Sequence, residues 1–424
     1  MLFYIFFLLF FTYPIGIAVT EFFVLILIIH FIKNNRKIEY YQTKIFLFLF
    51  VFSLYVFLNS IAQIPYIDLK ISAIFHLRFL LFALSIFFIL DNSEKISLKK
   101  KNFFFIIISI ISFIIIDSLL QFFSGKNFFG FEIISHRVSS IFFEELILGS
   151  FFVKTLPFLF WIIFFLKIDI TKYRLLLSIY ISLIFIVIYL SGERTSLALT
   201  MVSSVLFLYF IKSLRKILTT SLIILSIFVI CTGLFDIGKS SIFNRVFIKT
   251  YNQIFVDKNF NNKSINSTSE EINKEESNKI YFFSKDHQGH YLLAYDIFTK
   301  SPFFGVGPKG FRSECRKMEY DPNVGICSTH PHNFIFQFLS ELGLVGLIFY
   351  IFGLIYLIIK MFQVKRENID LNIKNCFLIS SIGIIINLFP LLPSGNFFNN
   401  WISIMIYYYI GIYLYSLKKC NKNL

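Results

Sequence analysis

Long apolar runs separated by short polar ones organise this chain. Apolar windows of spanning length lie at roughly 2–31, 44–63, 72–90, 102–122, 146–166, 174–191, 195–211, 217–236, 334–360, 375–392 and 399–417. About 20 such residues suffice to cross a bilayer core as a helix. The first window is too long for one crossing and is interrupted by Pro14 and Gly16, so two short helices or a re-entrant pair are expected there. The pattern predicts an all-α, polytopic membrane bundle of 11–12 transmembrane helices.

Only one polar stretch is long. Residues 237–333 separate N-terminal spans within 1–236 from C-terminal spans within 334–424. Inside it, 257–280 (DKNFNNKSINSTSEEINKEESNKI) has almost no large apolar residue to offset the entropy of ordering, and a mobile insertion is expected. By contrast 287–313 reads as an amphipathic helix with Tyr291, Leu292, Tyr295, Ile297 and Phe298 as apolar candidates, stopped by Pro302 and followed by a Gly-rich turn. No internal repeat or inverted pair of broken helices is present, which argues against a transporter.

Composition agrees with the pattern: 57% of the residues are apolar and 60 are Phe. The formal charge of +15 gains meaning only from its distribution. Loops 33–44, 91–101, 167–174, 212–216, 360–374 and the tail 418–424 hold 21 Lys and Arg, whereas loops 64–71, 124–145, 192–194 and 390–398 hold four, Lys70, Lys126, Arg137 and Arg194. Rich and poor loops alternate, so positive-inside orientation puts the C-terminus in the cytoplasm and the 237–333 loop outside. Residues 1–13 lack the basic start and small-residue exit of a cleavable signal peptide. Cys315 and Cys327 share the outer loop, where an oxidising compartment lets them close a small ring; two free thiols are the alternative.

Ionisable residues in or beside spans are costly and point to function. SGERTSLAL, 191–199, makes a minimal turn that holds Arg194 near the membrane surface. SHRVSSIFFEELILGSFFVKTLPF, 135–158, supplies Arg137 and then Glu144, Glu145 and Lys154. Guanidinium forks match phosphate oxygens bidentately, so Arg194, Arg137 and Lys154 are candidate ligands of a phosphorylated lipid head group, against a bland role as snorkelling anchors. Arg78, in FHLRFL, is a weaker candidate of the same kind. GVGPKGFR, 305–312, follows no strand of a βαβ unit, so a nucleotide fingerprint is rejected and the glycines are read as a tight turn that brings Arg312, a further phosphate or sugar ligand, to the bundle mouth.

In CSTHPHNFIFQFLSELGLVG, 327–346, Pro331 imposes extended backbone on His330 and leaves His332 and Asn333 at the start of the ninth span. A helix N-terminus disfavours protonated His, which suits a neutral general base at His332. His330 is the weaker candidate, a capping or interface role is the alternative for both, and no third ligand at usual spacing supports zinc. Glu145 is the candidate catalytic carboxylate to accompany His332. Glu341 lies about 13 Å further along an unbroken helix, a structural position unless that helix breaks. Gly343 and Gly346 suit close helix packing.

Taken together, SGERTSLAL, SPFFGVGPKGFR, CSTHPHNFIFQFLSELGLVG and HRVSSIFFEELILGSFFVKTLPF resemble segments of the O-antigen ligase and polymerase superfamily, whose hallmark is a His-Asn pair leading into a helix with an E-x-G-x-x-G continuation. The resemblance implies an inner-membrane glycosyltransferase of the polyprenyl-phosphosugar-dependent type. Its donor would be a glycan on undecaprenyl diphosphate and its acceptor a sugar hydroxyl of lipid A core, with no nucleotide, cofactor or metal. It further implies that Arg194, with Arg137 or Arg312, holds the diphosphate and that His332, marked by Asn333, assists deprotonation of the acceptor. A polymerase extending another lipid-linked chain is the close alternative, and a transporter of the same lipid the distant one.

Overall fold

The computed structural model describes residues 2–35, 38–62, 74–92, 100–235, 241–254, 283–317 and 327–422. Lys70 and the 257–280 insertion lie outside them. The chain runs through α1 (Leu2–Leu8), α2 (Ile17–Asn34), α3 (Lys44–Ala62), α4 (Leu77–Asn92), α5 (Lys100–Ser124), α6 (Leu148–Phe165), α7 (Arg174–Leu190), α8 (Arg194–Phe210) and α9 (Arg215–Phe235). Short α10 (Lys249–Ile254), α11 (Lys285–Lys300) and α12 (Phe311–Lys317) follow, then α13 (Phe334–Gln337), α14 (Gly343–Arg366), α15 (Leu371–Asn387) and α16 (Asn400–Lys422). Among the described residues there is no strand, only two isolated bridges in the 126–137 loop.

Every apolar window contains a helix, and the protein is an all-α polytopic membrane protein. Among the described residues six helical stretches meet the spanning criteria of length and hydropathy, the last running from α13 through α14, and α7, α8 and α15 are shorter apolar helices. The first window breaks where its Pro and Gly stand: a 3₁₀ turn over Leu9–Ile15 contains Pro14, and Gly16 precedes α2 with φ 142°.

The core is layered around α6, of which 83% of the spanning window is buried. It packs against α15, α15 against α16, α16 against α4, and α7 against α9. Pro157 stands inside α6, where a proline removes a ladder donor and crowds the preceding turn. The hydroxyl of Tyr409, from α16, enters the gap: it donates to the Lys154 carbonyl at 2.7 Å and accepts from the Phe158 amide at 3.0 Å. This ties α16 to the turn of α6 that carries Lys154.

A second break positions the site more directly. Residues 338–342 form a π turn between α13 and α14, and π turns widen the ladder and free carbonyls. The 302–307 loop docks on that turn through backbone hydrogen bonds. Val306 N donates to Ser340 O (3.0 Å), Gly307 N to Glu341 O (2.8 Å) and Leu344 N to Pro302 O (2.8 Å). Gly305 and Gly343 both adopt φ near +66°, and a Cβ on either would stand 2.5 Å from Glu341 C or 2.3 Å from Phe303 O. Only glycine permits so close an approach with that backbone.

Along the membrane-spanning part, a cavity of about 360 Å³ lies between α3, α14 and α16. Its walls are almost wholly apolar, with Phe48, Phe52, Phe338, Phe352, Tyr407 and Tyr413 prominent and Lys44 at one end.

Candidate functional site

The candidate residues gather at the end of the bundle where α4, α6, α8, α13 and α16 begin, in two groups. The first is organised by one carboxylate. Glu193, in the turn between α7 and α8, accepts hydrogen bonds from the Gly149 amide (2.8 Å), the Ser150 amide (3.1 Å) and the hydroxyls of Ser150 (2.5 Å) and Ser196 (2.8 Å). It thereby satisfies the free donors at the start of α6, whose own N-cap residue, Ile147, has no side-chain acceptor to offer.

Three guanidinium groups surround this turn. Arg137 stands 3.6 Å from Glu193 and donates from Nε to Ser191 O at 3.1 Å and from Nη2 to Leu146 O. Arg194 donates from Nε to Arg245 O at 3.2 Å and from Nη1 to Gln253 Oε1. Arg245 donates to Gly192 O at 3.3 Å and Ser135 O at 3.2 Å. Burial lowers the pKa of Arg137; Glu193 opposes the shift, and Arg245 and Arg194 add to it. Lys154 lies one and a half turns into α6, within electrostatic reach of Glu193.

The second group is built on histidine. His330 and His332 have ring centroids 4.0 Å apart, and α11 brings His290 to 5.4 Å and His287 to 5.7 Å from His332. His330 Nε2 meets a carbonyl, Ser394 O, at 3.1 Å, so that nitrogen carries the proton and donates; Nδ1 then accepts from the Thr329 hydroxyl at 2.9 Å. His332 pairs through Nε2 with the Ser328 hydroxyl at 2.8 Å, and its carbonyl accepts from Ser394 N at 2.8 Å. Its φ of 57° is a strained left-handed value for a non-glycine residue. Asn333 caps the helix through Oδ1, accepting from Ile335 N at 2.9 Å, and donates to Pro390 O at 2.8 Å. The 390–394 loop therefore clamps all three residues.

Burial first, and the neighbouring imidazoles second, push the pKa of His332 down to about 3; burial takes His330 down to about 4. The expected neutrality of His332 holds, but its source is desolvation and crowding by like groups rather than the start of α13. Arg312 lies within electrostatic reach of His330, and Lys309 within reach of Arg312, Arg78 and Glu341. Arg78 forms a 2.9 Å ion pair with Glu21 of α2. Glu341 is buried in the π turn, accepting from Phe311 N at 3.3 Å and Gln337 Nε2 at 2.9 Å, so it holds the 302–311 loop and supports the site from behind.

The structure thus brings Arg137 and Arg194 together, places Arg312 with the histidines, and leaves Glu144 and Glu145 exposed in the loop before α6. The hydrogen bonds and ion pairs named above do not join the two groups. Glu193, Arg245, His287 and His290 were not singled out by sequence. Glu193 stands inside SGERTSLAL without a signal of its own, and the other three stand in the 237–333 loop at spacings that carry no signal. The helix at 285–300 is confirmed with a different buried face: His290, Tyr291, Leu293, Ala294 and Ile297 are inside, while Leu292 and Tyr295 are exposed. Cys315 and Cys327 are joined as a disulfide. Among the described residues no group of three or more His, Cys, Asp or Glu has metal-holding geometry.

Residues 179–351 match the family model described as O-Antigen ligase. Over those residues the chain is similar to the O-antigen ligase family. The match runs from α7 into α14 and so includes Arg194, Arg245, Arg312 and all four clustered histidines. Arg137 and Lys154 precede it. The match supports an activity of the O-antigen ligase or polymerase type. A search of curated proteins finds no match.

Proposed function

We propose that the protein is an O-antigen ligase-like glycosyltransferase of the bacterial inner membrane, with its C-terminus cytoplasmic and its large loop periplasmic. It would move a glycan from undecaprenyl diphosphate to a sugar hydroxyl of lipid A core. The observation that carries this reading is the set of three guanidinium groups, Arg137, Arg194 and Arg245, around a single carboxylate. The net positive charge of this group suits a departing diphosphate, because fixed cations in a poorly hydrated site stabilise charge as it develops.

In the reaction, the acceptor oxygen bonds to the anomeric carbon as the bond from that carbon to the diphosphate breaks. Arg194 and its neighbours hold the leaving group. His332, kept neutral by its surroundings, takes the hydroxyl proton. Lys154 adds positive charge beside Glu193, and Asn333 and Ser394 fix the backbone that presents His332.

A polymerase is the second reading, and one observation favours it. The second cationic group, Arg78, Lys309 and Arg312 beside the histidines, offers a place for the diphosphate of a second lipid-linked chain. Replacing Arg194 and His332 separately and resolving the extracted lipopolysaccharide on a gel tests both. Polymerised glycan that stays lipid-linked and is absent from lipid A marks a ligase; products of a single repeat mark a polymerase. Unchanged lipopolysaccharide from both variants rejects the proposal.

A further inference from the structure

The four-histidine cluster raises a question that the transfer chemistry leaves open, namely where the proton taken by His332 goes. An imidazole so deeply desolvated is a weak resting place for a proton, and charge left on it would oppose the next turnover. Three further imidazoles adjoin it, and their surroundings differ. His330 has both ring nitrogens engaged, Nε2 as a donor to Ser394 O and Nδ1 as an acceptor from Thr329. His290 is buried.

His287 is different. It stands near the start of α11, partly exposed, with its ring edge-on to His332 at 5.7 Å between centroids. Its Nδ1 is 2.8 Å from the hydroxyl of Ser284, the N-cap of α11, which also accepts the His287 amide at 3.3 Å. With Nδ1–H donated to that hydroxyl, Nε2 keeps its lone pair and is free to accept. Burial is the first influence against the imidazolium on this ring, His290 adds to it and Asp286 opposes it, while His332 and His330 also lie within its electrostatic reach.

Resting on the transfer reading above, we propose that His287 is a positioning residue that orients His332 and carries its proton to solvent. The balance is simple. The acceptor oxygen bonds to the anomeric carbon, the electron pair of the broken bond leaves on the diphosphate, and the hydroxyl proton passes to His332, then His287, then water. Nothing is oxidised or reduced.

The test uses the full chain in proteoliposomes, with lipid-linked glycan extracted from cells that make it and, as acceptor, their lipopolysaccharide with a complete core but no attached glycan. Three variants are compared with the wild type: His287→Phe, which keeps an aromatic ring against His332 but cannot carry a proton; His287→Ala, assayed with and without added imidazole; and His332→Ala. The expected result is a kcat lower by roughly 10- to 100-fold for His287→Phe with KM changed by less than about twofold, and recovery of about tenfold in His287→Ala on adding imidazole. The recovery is read within one preparation and so is independent of folding yield. Activity of His287→Phe within about twofold of wild type from about pH 5 to pH 8, or no recovery by imidazole, overturns the relay while an inactive His332→Ala leaves the transfer reading standing. A fully active His332→Ala overturns both.

Discussion

The carboxylate of Glu193 stands 3.6 Å from the Arg137 guanidinium while capping the first amides of α6. One side chain thus anchors a helix and neutralises part of a cationic cluster. Both partners are largely shielded from water, so removing the carboxylate alone leaves a poorly solvated cation and an uncapped helix. Glu193→Ala is expected to cost about 3–5 kcal/mol and to abolish transfer. Thermal unfolding of the purified protein together with a lipopolysaccharide gel checks it, and a variant that melts and transfers like wild type removes Glu193 from the site.

The docking of the 302–307 loop on the π turn gives a second prediction. Gly343→Ala places a methyl group 2.3 Å from Phe303 O on a left-handed backbone, with an expected cost of about 2–4 kcal/mol. Because the loop leads into α12 and Arg312, activity should fall more than protein abundance does. Quantifying both in the same membranes decides the matter, and equal losses would mean that the loop serves stability alone.

Acid should destabilise the protein through its histidines. The folded pKa values of His332 and His330 lie near 3 and 4, below the ordinary 6.5. The unfolded chain therefore binds more protons in this range, and stability is fully present above pH 6.5 and falls toward pH 4. The slope is up to about 1.4 kcal/mol per pH unit for each imidazole. Unfolding midpoints measured between those limits should flatten in His332→Gln, and an unaltered slope would show that other groups set the acid limit.

Much of this architecture can be read directly from the chain. Apolar windows and the alternation of basic loops foretell the helices, and Pro14 with Gly16 foretells the first break, because bilayer thickness and backbone satisfaction leave few alternatives. The π turn at 338–342 was not legible, since it depends on a loop thirty-odd residues earlier that supplies amides to its freed carbonyls. The same holds for the partners of the predicted residues. Arg194 and His332 are conspicuous in the primary order, but Glu193 reaches the start of α6 across a helix gap and His287 meets His332 from α11, some forty residues away in sequence. Such convergence leaves no periodic trace.

The Cys315–Cys327 disulfide leads to a fourth prediction. Cys315 packs with Leu293, Ala294, Ile297 and Phe311 in a small apolar cluster under α11, and Cys327 precedes Ser328, the hydrogen-bond partner of His332. Reduction, or Cys315→Ser, should destabilise this outer unit by about 3 kcal/mol and lower activity while leaving the membrane bundle intact. Protease sensitivity confined to residues 283–332, followed with and without a membrane-permeant reductant, is the readout. Indifference to the reductant would show that packing alone holds the histidines.

The aromatic-walled cavity between α3, α14 and α16 has a practical corollary for anyone handling the purified protein. Its hydrocarbon surface would discriminate poorly between one alkyl chain and another, so a micelle-forming surfactant could enter it as readily as a lipid tail. Turnover recorded in micelles would then reflect surfactant tail length as much as the glycan on offer, and nanodiscs are the proper setting for comparing variants.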